Sequence, residues 1–301
     1  MARASRRNPR PGAAFTSIAV IARPLLAILC KRDWHGRENV PRQGGLIVVA
    51  NHVTYFDPLS IGHFLVKSGR TPRFLAKASV FKTPVLGKLI RAAGQIPVHR
   101  ESRDAALAFR EAVKAVQRGE TIIVYPEGTM TKDPDLWPMA GKTGAARIAL
   151  RTGAPVLPIG QWGAQEVLPH YSTKPQFFPR KTLKVTAGEP IDLRAAVGTE
   201  INSEALRKGT ELIMDRITEL VAGVRGEQPP AVRFDPAATR AGDESTAPAQ
   251  AASEEEASDV AAPAVTGPDV TPPDSAAPEE SDPVQTPASA STSTPTPEAR
   301  A

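Results

Sequence analysis

The chain has 301 residues, enough for one large domain or two ordinary ones, and a formal net charge of +5 at neutral pH. That modest figure conceals an asymmetry: from Gly226 onward there are 14 acidic and 3 basic residues, leaving 34 basic and 18 acidic residues before it. A single cysteine, Cys30, excludes an intrachain disulfide framework, offers no metal cluster and makes a reducing compartment the simpler setting.

At the N-terminus, Arg3, Arg6, Arg7 and Arg10 precede a largely apolar stretch, residues 13–30, which Arg23-Pro24 interrupts. Each piece falls short of the roughly 20 apolar residues that span a bilayer. Segment 1–31 therefore reads as an amphipathic helix at a membrane interface, its arginines toward anionic headgroups and Phe15, Ile18, Ile21, Leu25 and Leu29 toward the acyl chains. A helix packed on the domain would show the same periodicity. A signal peptide would share the basic start, but no small-residue cleavage site precedes Arg23.

Residues 34–41 are turn-rich and lead into an apolar strand at 46–50. Next comes Ala50-Asn51-His52-Val53-Thr54-Tyr55-Phe56-Asp57-Pro58. On a straight helix, five positions would leave His52 and Asp57 roughly 140° apart, so a turn must bring them together. Asp57 suits an N-cap and Pro58 the first helical position, with a helix continuing over 59–66. Further on, strands are expected at 73–77, 95–98, 121–125, 155–159 and 183–186, and helices at 85–93, 104–118, 144–151 and 203–224. The helix at 104–118 places Ala105, Ala108, Phe109, Ala112, Val113 and Val116 on one face.

This alternation predicts an α/β domain over 32–225, a mainly parallel, mixed sheet flanked by helices. Residues 161–180 lack periodicity and form a long loop of the kind that serves a site. Residues 226–301, rich in Pro, Ala, Ser, Thr and Glu, cannot bury enough apolar surface to offset the entropy of ordering and read as a disordered acidic tail. Gly141-Lys142-Thr143 imitates the end of a phosphate-binding P-loop, but Leu136 stands where that motif needs glycine and Trp137-Pro138 replaces the preceding strand. It is rejected as a nucleotide site. Lys and Arg are dispersed through the basic body without a nucleic-acid module signature, so anionic lipid or an anionic substrate accounts for the charge as well.

Four blocks in order carry a more specific signal. They are Asn-His with Asp57 five residues on; Gly94-Gln95-Ile96-Pro97-Val98-His99-Arg100; Tyr125-Pro126-Glu127-Gly128-Thr129; and Ala154-Pro155-Val156-Leu157-Pro158-Ile159. Together they resemble the motif series of the glycerolipid acyltransferases, the family that includes 1-acylglycerol-3-phosphate acyltransferase. The lead-in Gly36-Arg37-Glu38-Asn39-Val40-Pro41 is similar to that family's too.

The resemblance implies transfer of a fatty acyl group from acyl-CoA or acyl carrier protein to a lysophospholipid hydroxyl, with 1-acylglycerol 3-phosphate giving phosphatidic acid. No cofactor and no metal are expected, and the setting is peripheral, on the cytoplasmic face of the cell membrane. Removing the hydroxyl proton as attack begins suits a neutral imidazole, here His52, with Asp57 fixing its tautomer and stabilising the imidazolium. Asn51, Arg100, Glu127, Gly128 and Thr129 would contact substrate, Arg100 by a forked pair with phosphate. Glu127, which repels phosphate, would instead bond an acceptor hydroxyl or fix its loop.

One departure concerns the acceptor: the family's third block continues with Arg, where this chain has Met130. Lys132, Lys142, Lys77 or Lys82 could supply a point charge, though none reproduces a bidentate fork. A different lipid acceptor and a non-catalytic module that binds anionic lipid are the alternative readings.

Overall fold

The computed structural model describes residues 11–98 and 103–238. In chain order its elements are α1 (Ala13–Leu29), β1 (Cys30–His35), β2 (Leu46–Ala50), α2 (Asp57–Lys67), β3 (Pro72–Lys77), α3 (Leu86–Ala92), β4 (Ile96–Val98), α4 (Arg103–Gln117), β5 (Thr121–Val124), α5 (Gly144–Thr152), β6 (Val156–Trp162), α6 (Ala164–Val167), β7 (Lys181–Ala187), α7 (Leu193–Val197) and α8 (Ser203–Arg225). The strands make one seven-stranded sheet in the order β1-β7-β6-β2-β5-β3-β4. Every neighbouring pair is parallel except β6 with β7, so the sheet is mixed but mainly parallel, as the sequence predicts.

β2 lies near the middle, and its side chains explain why it reads as an unbroken apolar run. Ile47 and Val49 enter the core shared with α4, α5 and α8, whereas Leu46, Val48 and Ala50 enter the core on the other face, with Ile61, Phe64 and Leu65 of α2. A strand covered on both faces has no polar alternation to show. Register then fixes the site: Val49 pairs with Val124 of β5 and Ala50 with Ile159 of β6. The carboxyl ends of β2 and β5 are thus nearly level, with β6 running on to Trp162, at the end of the sheet where open α/β sheets place ligands. Gly160 permits the close approach of α8, since a Cβ there would lie 2.6 Å from the Leu220 backbone.

Four expectations need correction. Residues 30–35 are strand, not helix end and turn: β1 is an edge strand, parallel to β7. Its Lys31, Arg32, Asp33 and His35 are exposed, and charges on an edge hide the apolar period while blocking further strand addition. Arg23-Pro24 does not divide the N-terminal helix, because α1 runs unbroken through Pro24. Pro24 and the Val20 carbonyl it leaves without a donor are on an exposed side, where water can serve that carbonyl.

The apolar face of α1 is also rotated from the one expected. Val20, Ile21, Leu25 and Ile28 are exposed, while Phe15 and Ile18 are half-buried and Leu29 packs on the core.

Residues 226–238, assigned to the tail, are held on the domain. The Phe234 carbonyl accepts from Ala140 N at 2.8 Å, and Arg233 pairs with Glu211 and Asp215 of α8 at 2.8 and 2.5 Å. The rest of the expected tail lies outside the described residues. No helix among the described residues is long and apolar enough to cross a membrane.

Candidate active site

The turn between β2 and α2 brings His52 and Asp57 together. The Asp57 carboxylate, fully buried, accepts at Oδ2 from His52 Nδ1 at 2.8 Å, from Val53 N at 2.6 Å and from Thr54 N at 2.9 Å. Asp57 is therefore not the helix cap the sequence suggests. It is the first residue of α2, Phe56 holds the cap position, and the carboxylate reaches back into the turn. A carboxylate accepts only, so Nδ1 of His52 carries the proton and Nε2 is left with its lone pair. The His52 side chain is 16% exposed, enough for Nε2 to meet a substrate at the rim of the turn.

The stretch after β5 holds His52 from behind. Tyr125 stacks on the imidazole, ring centroids 4.1 Å apart and planes 16° from parallel. Burial, and then the nearby Asp57 charge, keep the Tyr125 phenol well above its ordinary range, so it stays protonated. Thr131 N donates to the His52 carbonyl at 2.7 Å, and the Thr131 hydroxyl donates to Trp137 O at 2.6 Å.

Glu127, 1% exposed, does not face an acceptor: Oε1 takes His52 N at 3.0 Å and Oε2 takes Met139 N at 3.1 Å. Of the two roles open to it, the geometry supports fixing the loop. Burial raises its pKa to about 8, against the pull of the Met139 and His52 N–H groups. A carboxyl raised in the folded state stabilises most below its ordinary range, and that contribution is lost as pH climbs toward 8. Glu127→Gln should remove this slope. The difference in unfolding free energy between wild type and variant, from urea midpoints across pH 5 to 8, should change by up to about 1.4 kcal/mol per pH unit.

Asn51 is placed beside this centre but turned away from it. Its Nδ2 donates to Gln161 O at 3.1 Å, its Oδ1 accepts from Gln161 N at 3.0 Å, and Gln161 Nε2 donates to Asn51 O at 3.1 Å. With both amide atoms engaged and 1% exposure, Asn51 extends the β2–β6 ladder and is not positioned for substrate. The loop after α6 then closes over the turn. Thr54 Oγ1 donates to Leu168 O at 2.6 Å, His170 Nδ1 donates to Val53 O at 2.6 Å, and Phe177 meets Phe56 edge-on at 6.3 Å.

Gly128 and Thr129 are partly exposed. Gly128 has φ +78, and a Cβ there would lie 3.1 Å from Cδ and Cε of Lys142 and 3.2 Å from its Nζ. The lysine stem therefore lies across Gly128, anchored by Lys142 N donating to Pro126 O at 2.8 Å. Met130 is buried, so the position where the resembling family carries Arg presents no group to solvent. Arg100 lies outside the described residues. Cys30, buried beneath α1 with its thiol pushed up by burial, is no candidate nucleophile.

Sequence reasoning missed Thr131, Gln161 and His170. They act through backbone groups, a role that leaves no residue signature. Lys142 was visible only as one of several lysines.

The buried Asp-His pair at the carboxyl ends of the strands falls within residues 31–162, which match the family model described as Acyltransferase. This part of the chain resembles the glycerolipid acyltransferase superfamily.

Two relatives and one solved structure illustrate the likeness. The 1-acyl-sn-glycerol-3-phosphate acyltransferase of Borreliella burgdorferi is 34% identical over 125 residues, 41% of this chain and 48% of that protein. The chloroplastic 1-acyl-sn-glycerol-3-phosphate acyltransferase BAT2 of Brassica napus is 32% identical over 141 residues, 46% of this chain and 39% of that protein. The chain thus spans less than half the length of these two relatives. The crystal structure of the 1-acyl-sn-glycerophosphate (LPA) acyltransferase PlsC from Thermotoga maritima superposes with a TM-score of 0.54 at 26% identity, covering 72% of this chain and 81% of that one.

Proposed function

We propose that the domain transfers a fatty acyl group from an acyl thioester, acyl-CoA or acyl carrier protein, to a lysophospholipid hydroxyl. The acceptor is 1-acylglycerol 3-phosphate and the product phosphatidic acid. The observation that carries this reading is the His52-Asp57 pair, with Nδ1 committed to a buried carboxylate and Nε2 left to accept a proton.

In the reaction, the acceptor hydroxyl gives its proton to His52 Nε2 as its oxygen attacks the thioester carbonyl. The new C–O bond forms, the C–S bond breaks, and the imidazolium returns the proton to the departing thiolate. Asp57 holds the tautomer and offsets the charge on the imidazolium, and no acyl-enzyme is needed because the acceptor is itself the nucleophile. With Met130 buried, Lys142 over Gly128 is the cation best placed to meet the acceptor phosphate.

The exposed apolar face of α1, Val20, Ile21, Leu25 and Ile28, suits a helix lying in a membrane interface, where such acceptors reside.

The test is a set of lysophospholipids differing in headgroup, each supplied in vesicles with an acyl-CoA, and the products identified by mass. Phosphatidic acid should form fastest from the phosphomonoester acceptor. Lys142→Ala should raise KM for that acceptor about tenfold with little change in kcat, as expected for one lost charge-assisted contact made equally in ground and transition states. Vesicle binding without consumption of any thioester would instead identify a lipid-binding module.

A further inference from the structure

α4 and α5 lie side by side on the face of the sheet opposite α2, and between them is an open groove of about 580 Å³. Its floor is apolar. Phe109 and Val113 of α4 back onto the core yet remain half-exposed into the groove, and Ile201 is 42% exposed beside them. Cations flank this floor in two rows, Arg110 and Lys114 on α4, Arg147 and Arg151 on α5.

Each row has i,i+4 spacing, so its charges stand one helical turn apart on one face. Lys114 shares its charge with Glu111 at 2.9 Å, but Arg110, Arg147 and Arg151 make no ion pair with any described residue. The charges are spread along the groove and do not converge on one point. A lone phosphate calls for convergent donors, whereas parallel cationic rows about an apolar floor match an amphipathic helix with carboxylates on both flanks. Uncompensated charge of this kind contributes chiefly to orientation and on-rate.

The groove is also oriented toward the chemistry. α4 follows the carboxyl end of β4, and α5 begins two residues after Lys142, so both helices start at the end of the sheet that holds His52. A partner seated along them runs lengthwise toward that end of the sheet.

We infer that this groove is the docking surface for an acidic, helical carrier protein that delivers the acyl group as its thioester. The inference rests on the acyl-transfer reading and adds the identity of the donor to it.

The test compares two donors bearing the same acyl chain, acyl-CoA and acyl carrier protein, in wild type and in Arg147→Glu/Arg151→Glu. KM for the carrier-bound donor should rise about tenfold or more, with acyl-CoA kinetics within about twofold of wild type. The milder Arg147→Gln/Arg151→Gln should show the same selectivity at smaller amplitude, and thermal melts of both variants report on folding. Equal losses with the two donors, no loss with either, or a wild type that turns over acyl-CoA but not the carrier-bound donor would each overturn the docking surface while leaving the reaction intact. If wild type consumes neither thioester, the acyl-transfer reading fails and this inference falls with it.

Discussion

Replacing His52 with alanine should lower acceptor-dependent thiol release by about 10²-fold or more, the usual contribution of a positioned general base. The loss should fall on turnover and not on the fold. His52 is fixed through its backbone, N–H to Glu127 Oε1 at 3.0 Å and C=O to Thr131 N at 2.7 Å, and alanine keeps both bonds. Vesicle binding, proposed to draw on the exposed apolar face of α1, should stay close to wild type. A His52→Ala protein that binds vesicles and melts normally but turns over at the wild-type rate would remove the base from the mechanism.

Asp57 should be as consequential, by a different route. Its Oδ2 gathers three N–H donors, His52 Nδ1, Val53 N and Thr54 N, at a fully buried position. Asp57→Asn can keep an oxygen at the Oδ2 position for all three donors, but that oxygen is neutral, so the charge that offsets the imidazolium is lost. His52 is then a weaker base without its counter-charge, and kcat should fall about 10³-fold or more with the fold retained. Asp57→Ala differs in kind. It strands the buried N–H groups of Val53 and Thr54, each worth about 1–3 kcal/mol, so the protein itself should be destabilised. Kinetics and urea melts of the two variants side by side separate the charge of the carboxylate from its support of the turn.

How much of this was legible in the sequence depends on what each residue does. Buried parallel strands such as β2, with residues 46–50 covered on both faces, announce themselves as apolar runs. β1 does not, because an edge strand reading Lys-Arg-Asp carries polar side chains toward solvent and borrows its order from β7. Pro24 looked like a break because the missing N–H is costly inside a helix, but its carbonyl partner lies on an exposed side.

The site shows the same division. His52 and Asp57 were readable because imidazole and carboxylate carry recognisable chemistry at a recognisable spacing. The direction of the Asp57 carboxylate, back into the turn instead of forward onto the helix, is a property of the backbone between them. Glu127 and Asn51 show the reverse: polar residues beside the site whose burial commits them to main-chain groups, Glu127 in the loop-fixing role left open for it and Asn51 in place of the substrate contact expected. The cation for the acceptor could not be chosen from the sequence, since Lys142 comes over Gly128 only through the fold of the loop after β5.

The central claim is direct acyl transfer from a thioester to a lipid hydroxyl at His52, and one measurement on the wild-type protein addresses it. Thiol release from acyl-CoA is followed with vesicles alone and then with vesicles containing 1-acylglycerol 3-phosphate. Release should be near background in the first case, should begin on addition of the acceptor, and should match phosphatidic acid formed mole for mole. Steady release without acceptor, or none with it, would contradict the account.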